Sequence, residues 1–541
     1  MPRAFSILFA DDQSGACKRE LGGRLGASRP QWRVTFTSSL QEALDRLEGG
    51  AVDAVVACIE ISPGGAEGLE ILRRAREAAP GAPVILVASG GDARAFRDAC
   101  IGKLPKGDAD AERTPPDGLF FREEILSGAR LADLEEQIAR GLYRCGRVAN
   151  DRAVLVTHGT DTLAWGLAYL RYALKDLTAN VAVTGSQVPL EGYFSSSDAL
   201  GNLKTAVFLL NRLRPARLFA VFNNGRSVFT GRLTKFRKWD ADAFEGKVAA
   251  SVGAEGVQPL RKDWVYIPYA DQRLRELHLI RTGGTIESHR EPGEAGALKP
   301  TGDFVWKFLQ DSLSEFFEHG VRHDLFALDS SNMSFGEWAA LARAIEGIGV
   351  AQADTRFDET VKPVFTNPAF TTADYHAQFA ACGAGAILAG FGGGNANVLE
   401  RSPHCVLPAL TQAVESGTFL AVTSQVPLEP YDAEYETGLA LLRAGGVPCG
   451  DLPLADAQVK LAYLLGHDDE LRSAAREAGV DPQGLRIAAF LAGVTMRRAH
   501  SMEIYRHLSR KGTLPQRFLA YDPFLSRPFS EGLKLVLEGY R

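Results

Sequence analysis

One strand-turn-helix pattern constrains the fold of this 541-residue chain more than any other stretch. The apolar, β-branched run Ala153–Val156 changes abruptly into the small and polar residues Thr157–Thr162, and helical spacing follows over 164–174. This pattern predicts a buried parallel strand, a tight turn and a helix. Ligand sites of open α/β sheets lie at the carboxyl ends of such strands. The sequence therefore indicates an α/β protein that handles a small polar ligand here.

Composition and charge narrow the classes of function. The net charge of −6 gives no indication of binding to nucleic acid or to anionic membranes. No apolar run reaches the roughly 20 residues of a membrane-spanning helix, and the N-terminus lacks the apolar core of a signal peptide. The seven cysteines contain no CxxC pair, so we expect free thiols in a reducing cytoplasm. We expect no metal and no cofactor, since no zinc or iron–sulfur spacing is present.

Residues 1–110 alternate strand and helix signals and predict a doubly wound α/β domain. Asp11 and Asp12 follow the first predicted strand, and Lys106 follows the last. This arrangement resembles the receiver domain of bacterial response regulators in a degenerate form. A plain α/β domain with acidic residues at a strand end is the alternative.

The receiver resemblance fails at the phosphorylated residue. The family has an aspartate at the end of its third strand, where this chain has Cys58 or, with a shifted alignment, Glu60. We therefore expect no phosphorylation of this domain. Residues 111–150 are predicted to be a linker, which contains Pro115-Pro116, followed by a helix from Leu119 to Arg144.

Four short motifs later in the chain share an order and a spacing. They are His158–Thr162, Thr184–Leu190, Ser197–Leu203 and Gly231–Lys235. Together they resemble the L-asparaginases, a family of threonine amidohydrolases. The resemblance implies a two-domain α/β fold.

A fifth motif stands out of the family's order. Arg281–Ile286 resembles the asparaginase motif that opens the family's chain and carries the nucleophilic threonine, here Thr285. Thr285 lies 125 residues after Thr160 (285 − 160), and the substrate loop Asp329–Met333 follows it. The resemblance therefore implies a permuted order of the first domain. We predict three regions: a permuted N-terminal catalytic domain (151–350), a C-terminal domain (351–470) and a helical C-terminal extension (471–541).

The resemblance implies roles for individual residues. Thr285 would attack the side-chain amide carbonyl, and Thr160, Asp161 and Lys235 would form a second catalytic group. Hydrolysis through a covalent intermediate needs an activated nucleophile, and the charge of Lys235 would lower the proton affinity of Thr160. The alternatives are a Gly-Gly-Thr turn at Thr285 and a surface lysine within the basic stretch Arg232–Lys238.

Substrate binding is implied for a second set of residues. Ser330 and Ser331 would donate hydrogen bonds to the substrate α-carboxylate, Asp161 would pair with its α-ammonium, and Gly159 belongs to the same set. The alternative for both serines is an N-cap of the helix predicted from Phe335. One departure from the family concerns the loop Glu287–Asp303, which contains no tyrosine; Leu298 lies nearest the expected place.

Three functions are consistent with these residues. The first is hydrolysis of L-asparagine, with L-glutamine as a second candidate substrate, through a threonine acyl-enzyme. The second is an amidase that releases ammonia for a partner enzyme, as expected from a resemblance to the asparaginase-like subunit of archaeal tRNA-dependent amidotransferases. The third is a regulatory module that binds an amino acid and is coupled to the receiver-like domain. The resemblance to asparaginases, whose active sites are completed by a neighbouring subunit, implies a homodimer or homotetramer.

Overall fold

The computed structural model describes most of the chain from residue 152 onward and separate segments before it. The described residues are 5–10, 32–48, 52–58, 70–71, 74–75, 84–88, 118–121, 152–191, 196–214, 216–237, 240–253, 256–259, 265–266, 273–290, 298–427, 431, 433, 435–496, 519 and 521–540. They fall into two compact units, one before residue 150 and one after it. The α/β fold class predicted from the sequence is confirmed.

The first unit contains a five-stranded parallel sheet. Its strands are β1 (Phe5–Ala10), β2 (Trp32–Thr37), β3 (Ala54–Cys58), β4 (Val84–Ala88) and β5 (Gly118–Phe121). The spatial order is β2-β1-β3-β4-β5, and every pair is parallel. This is one of the two common orders of doubly wound sheets. Helix α1 (Leu40–Glu48) buries Ala43 and Leu47.

Strand β5 differs from the sequence-based prediction. Leu119 begins the segment predicted as a helix, but Gly118–Phe121 pairs in parallel with β4. The helix prediction is therefore wrong for Leu119–Phe121, because the aromatic pair Phe120-Phe121 favours a strand. The remainder of that predicted helix lies outside the described residues, as do Asp11, Asp12, Glu60 and Lys106. The receiver resemblance stays a prediction.

The second unit is built on an eight-stranded mixed sheet. Its strands are β6 (Arg152–Thr157), β7 (Val181–Thr184), β8 (Leu218–Phe222), β9 (Ser227–Lys235), β10 (Phe244–Gly253), β11 (Gly256–Pro259), β12 (Leu274–Gly283) and β13 (Phe317–Leu328). The spatial order is β11-β10-β9-β8-β7-β6-β12-β13. The five strands from β8 to β13 in this order are parallel, and β9, β10 and β11 are antiparallel to their neighbours.

Strand β12 lies between β6 and β13, although it comes after β11 in the chain. Its residues pair with β6 from Glu276 opposite Arg152 to Arg281 opposite Thr157. The carboxyl ends of β6, β12 and β13 therefore meet at one edge of the sheet. The motifs that follow these three strands are brought to the same edge.

The C-terminal part of the second unit has a four-stranded parallel sheet. Its strands, in spatial order, are β14 (Lys362–Phe365), β15 (Gly385–Gly390), β16 (Phe419–Ser424) and β17 (Val447–Pro448). A tight 3₁₀ turn, Gly392–Gly394, follows β15.

Helices cover both sheets of the second unit and form its C-terminal extension. They are α2 (Leu163–Ala173), α3 (Ala199–Arg212), α4 (Phe304–Ser312), α5 (Phe335–Gly347), α6 (Thr372–Ala380), α7 (Leu407–Glu415), α8 (Glu436–Arg443), α9 (Leu454–Gly466), α10 (Asp468–Ala478), α11 (Pro482–Leu491) and α12 (Phe529–Tyr540). In the part of the chain that the structure describes, no helix has the length and apolar character needed to cross a membrane.

Candidate active site

Three loops are in close contact at the carboxyl edge of the larger sheet. A Cβ atom added to Gly159, after β6, would lie 2.5 Å from the Cβ of Ser330, which follows β13. A Cβ atom on Gly284, after β12, would lie 2.5 Å from the Cα of Gly159. Gly284 also has φ of 81°, a left-handed value that glycine adopts at no steric cost. Glycines at 159 and 284 therefore allow the loops bearing Thr160 and Thr285 to approach each other.

Side-chain hydrogen bonds fix the same three loops. The hydroxyl of Thr282 donates to the carbonyl of Thr157 at 2.7 Å and joins β12 to the end of β6. The hydroxyl of Thr162 donates to the carbonyl of Ser330 at 2.8 Å. The backbone N–H of Asp161 donates to Ser330 Oγ at 3.2 Å, so this serine can still donate its own proton to a ligand.

Lys235 binds both polar residues of the first loop. Its Nζ donates to Thr160 Oγ1 at 2.8 Å and to Asp161 Oδ1 at 2.7 Å. The Lys235 side chain is 19% exposed, whereas that of Asp161 is 61% exposed. The lysine is thus held inside the site, while the carboxylate faces solvent and is accessible to a cationic group of a ligand. The structure therefore brings together the predicted residues Thr160, Asp161 and Lys235.

Thr285 begins a short 3₁₀ turn, Thr285–Glu287, and is half-buried. Behind it, Glu287 is fully buried and accepts a hydrogen bond from Arg281 Nε at 2.9 Å. Burial raises the pKa of the Glu287 carboxyl despite this pairing. Arg281 also binds the carbonyl of Gly302, so the ion pair joins both ends of the loop that follows the threonine. No sequence pattern indicates this pair, because Glu287 is one of several glutamates in the loop.

The two serines of the predicted substrate loop differ in environment. Ser330 is buried, whereas Ser331 is exposed and binds Asp329 Oδ1 through both its N–H, at 2.9 Å, and its hydroxyl, at 2.7 Å. Neither caps α5. Ser334 does so, in a capping box with Glu337. The alternative of an Asp-Ser-Ser cap for this helix is therefore wrong, because a serine nearer the helix takes that position.

His158 holds the backbone of the first loop. The ring is buried, with Nδ1 2.6 Å from the carbonyl oxygen of Gly159 and Nε2 3.2 Å from the indole nitrogen of Trp338. A donor at Nδ1 and an acceptor at Nε2 describe a neutral imidazole. Burial lowers the pKa of His158 to about 4. His158 therefore has a structural role, and its protonation affects the stability of the folded chain.

This depressed pKa predicts a loss of stability in mild acid. Because the folded-state pKa lies below the unfolded value of about 6.5, the unfolded chain takes up a proton first as the pH falls from about 6.5 towards 4. Between pH 7 and pH 5, His158 should lower the free energy of unfolding by about 2 kcal/mol. Urea unfolding at both pH values measures this, and His158→Asn should flatten the pH slope. An unchanged slope in His158→Asn would contradict the prediction.

A buried aspartate supports the neighbouring turn. Asp198 Oδ1 accepts hydrogen bonds from the N–H groups of Gln187, at 3.0 Å, and Val188, at 3.1 Å. Asn202 donates to the carbonyl of Gly185 at 2.9 Å. The motifs Thr184–Leu190 and Ser197–Leu203 therefore pack against each other behind the site and contribute structural support.

A cavity of about 690 Å³ opens beside the lysine. Its walls include Asp161, Lys235, Lys247 and Thr423–Pro427, the end of β16 and the turn after it. A turn of the smaller sheet thus lines the same cavity as the lysine within one chain. Among the residues that the structure describes, no group of three or more potential metal-binding side chains is arranged around a metal position.

Family models match two regions of this chain. The model of the asparaginase N-terminal domain matches residues 130–261, and the model of the glutaminase/asparaginase C-terminal domain matches residues 361–476. Over these two regions the chain is similar to the asparaginases. The match to the N-terminal domain model includes Thr160, Asp161 and Lys235. It ends before β12, the strand that leads to Thr285.

Curated proteins similar to this chain include subunits of an amidotransferase. The D subunit of the glutamyl-tRNA(Gln) amidotransferase of Thermococcus kodakarensis is 23% identical over 61% of this chain and 57% of its own length. The corresponding protein of Saccharolobus solfataricus is 24% identical over 69% of this chain and 64% of its own length. The chain therefore spans somewhat more than half the length of these relatives.

Solved structures similar to the chain are L-asparaginases. The thermostable enzyme of Thermococcus kodakarensis has 17% identity and a TM-score of 0.39, over 72% of this chain and 95% of its own. L-asparaginase I of Vibrio cholerae has 18% identity and a TM-score of 0.38, over 72% of this chain and 96% of its own.

Proposed function

We propose that this chain hydrolyses the side-chain amide of L-asparagine to L-aspartate and ammonia. One observation carries the proposal: the contact of Gly284 with Gly159 sets the loop of Thr285 against the loop whose Thr160 and Asp161 bind Lys235. Two hydroxyls, a carboxylate and an ammonium at one sheet edge provide the groups that threonine-dependent amide hydrolysis needs.

In the proposed reaction, Thr285 Oγ forms a bond to the amide carbonyl carbon. The C–N bond breaks, ammonia leaves with the proton of the hydroxyl, and an ester to Thr285 remains. Water then hydrolyses this ester and releases aspartate. Lys235 binds Thr160 Oγ1 at 2.8 Å, and its positive charge lowers the proton affinity of that hydroxyl. Asp161 binds the α-ammonium of the substrate. Ser330 donates to the α-carboxylate, and Ser331 does so once its hydroxyl leaves Asp329 Oδ1. Gly159 leaves room for the Ser330 side chain beside the bound substrate.

Incubation with L-asparagine or L-glutamine and measurement of ammonia and of the amino-acid product tests this function. We expect equal amounts of ammonia and aspartate from asparagine. Binding of asparagine without release of ammonia would instead favour the regulatory module, which the absence of tyrosine from Glu287–Asp303 supports.

The names of the relatives support a second candidate, an amidase that supplies ammonia to a partner enzyme. The two enzymatic functions differ in the rate of the isolated chain. An independent asparaginase should reach a kcat/KM of about 10⁴ M⁻¹s⁻¹ or more, the usual range of enzymes. A much lower value that still depends on Thr285 would favour the partner-dependent amidase.

The permuted order of the N-terminal domain is part of the same proposal. Its support is the insertion of β12 between β6 and β13, together with a family-model match that ends at residue 261. The absence of a metal or cofactor, a cytoplasmic location and the lack of nucleic-acid binding stay predictions from the sequence.

A homodimer or homotetramer is proposed as the active form, and each chain should carry its own Thr285 and Lys235. Thr285 follows β12 and Lys235 ends β9, and both strands belong to one sheet of one chain, so mixing Thr285→Ala with Lys235→Met should restore no activity. Light scattering at micromolar concentration measures the assembly, and ammonia release measures the complementation. A fully active monomer would contradict the first expectation, and recovery on mixing would contradict the second.

A further inference from the structure

The strand that carries Lys235 is interrupted by a bulge three residues before it. In the pairing of β9 with β10, Phe229 lies opposite Val248, and Leu233 lies opposite Gly246. Four residue steps on β9 therefore match two on β10. Within the bulge, Gly231 has φ of 130° and Arg232 has φ of 52°. A left-handed backbone conformation is uncommon for arginine and persists only where the surrounding structure stabilises it.

Groups from the C-terminal part of the chain hold this arginine. Its guanidinium binds the carboxylate of Asp451 and the carbonyl oxygen of Gly493. Its backbone N–H donates to Asp456 Oδ1 at 3.3 Å. Arg171 binds the same Asp456 oxygen at 2.8 Å. The contacts of the Arg232 side chain and of its backbone N–H therefore both fix the bulge.

The space beside the bulge is filled as well. A Cβ atom on Gly231 would lie 2.0 Å from the guanidinium of Arg171, so a larger residue would displace that side chain. Asp456, which binds both arginines, is buried. An alternative conformation of the bulge would therefore leave a buried carboxylate with fewer partners, which is costly.

The C-terminal extension supplies part of this support. Gly493 follows α11. The Thr495 N–H donates to Asp451 Oδ1 at 2.8 Å, and the Asp451 N–H donates to the Thr495 carbonyl at 3.0 Å. The buried Lys460 anchors the extension further, because its Nζ donates to the Ala492 carbonyl at 2.6 Å and to Asp522 at 2.7 Å. The extension is therefore joined to the bulge of β9.

We infer that Arg232 is a positioning residue for Lys235, and that the segment 493–495 of the C-terminal extension takes part by holding it. Bulges near active sites direct a side chain that a regular strand would place elsewhere. Here the bulge sets the end of β9 so that Lys235 Nζ reaches Thr160 and Asp161. The kinetic test of this inference rests on the proposed hydrolysis, and a second test is independent of it.

The kinetic test compares Arg232→Gln with the wild type. Misplacing a catalytic group by about 1 Å costs up to about 100-fold in rate. In Arg232→Gln we expect kcat for asparagine to fall by about 10- to 100-fold with a nearly unchanged KM. Arg232→Lys should recover less than half of this loss, because lysine lacks the planar guanidinium group. In the Lys235→Met background, Arg232→Gln should cause no further loss. An equal loss in both backgrounds, or a kcat within about twofold of wild type, would overturn the inference.

A matched control separates positioning from general stability. Arg486→Gln removes an arginine of α11 that is more buried than Arg232 and binds Asp468 and Gln483. It should lower the melting temperature and leave kcat unchanged. If Arg232→Gln does not fold, Asp451→Asn weakens the contact between Arg232 and the Asp451 carboxylate and keeps the Oδ1 atom that Thr495 binds. The same kinetic outcomes apply to Asp451→Asn.

The second test measures the environment of Lys235 without activity. Acetic anhydride labelling, read by mass spectrometry against the exposed Lys362 as reference, should be at least about threefold faster at Lys235 in Arg232→Gln than in wild type. Equal labelling would overturn the inference. Faster labelling in a protein whose wild type releases no ammonia would refute the proposed function and leave the positioning of Lys235 by Arg232 supported.

Discussion

Replacing Thr285 by alanine should reduce asparagine hydrolysis by about 10⁴-fold or more, because loss of a nucleophile removes the covalent route. The variant should still bind asparagine, since the proposed contacts to the α-ammonium and α-carboxylate come from Asp161, Ser330 and Ser331. Ammonia release measures the rate, and calorimetric titration with asparagine measures the binding.

Thr285→Ser is the matched control, because serine keeps the hydroxyl and removes only the methyl group. It should retain hydrolysis within about 100-fold of wild type, far above the alanine variant. The melting temperature should change little in either variant, since Thr285 is only half-buried. Ammonia release by Thr285→Ala at the wild-type rate would refute the nucleophile assignment.

Lys235→Met should lower kcat by about 10²- to 10⁴-fold, the range expected when a group that assists proton transfer is lost. Methionine replaces the side chain of the lysine as far as Cε and removes the ammonium that binds Thr160 Oγ1 at 2.8 Å. It also removes the partner of Asp161, which is mostly exposed and can be solvated instead. Steady-state kinetics with asparagine should therefore show a fall in kcat larger than the change in KM.

Lys247→Met is the control for Lys235, because both lysines line the same cavity. It removes a positive charge nearby without removing a contact to Thr160. A loss of the same size in both variants would mean that the positive field of the cavity, and not the specific lysine, supports the reaction. The role proposed for Lys235 would then be wrong.

The sequence predicts the parts of this molecule that depend on local pattern. Buried strands such as β6 and β7, and the polar residues that follow them, are visible as apolar runs that end abruptly. The residues of the proposed site could be named because they lie in short motifs next to such runs. The structure adds the contacts of Gly159 with Ser330 and Gly284, which depend on how strands distant in sequence are paired.

The residues that support the site could not be predicted, because their partners are far away in the chain. Arg232 is one member of a basic stretch, yet it is fixed by Asp451 and Gly493, more than 200 residues later. Asp456 is an acidic residue in the first turn of a helix, where such residues are ordinarily exposed. Its burial follows from the packing of α9 against α2 and β9, which no local pattern reveals.

The position of β12 in the sheet has a consequence for the synthesis of the protein. When the ribosome has completed β6, another 116 residues (158–273) must follow before β12 begins. At about 5–20 residues per second, this interval lasts roughly 6 to 23 s. Until then one edge of β6 has no native neighbour, and unpaired strand edges are templates for association between nascent chains. The yield of folded protein should therefore depend on translation speed and on chaperones that protect this edge.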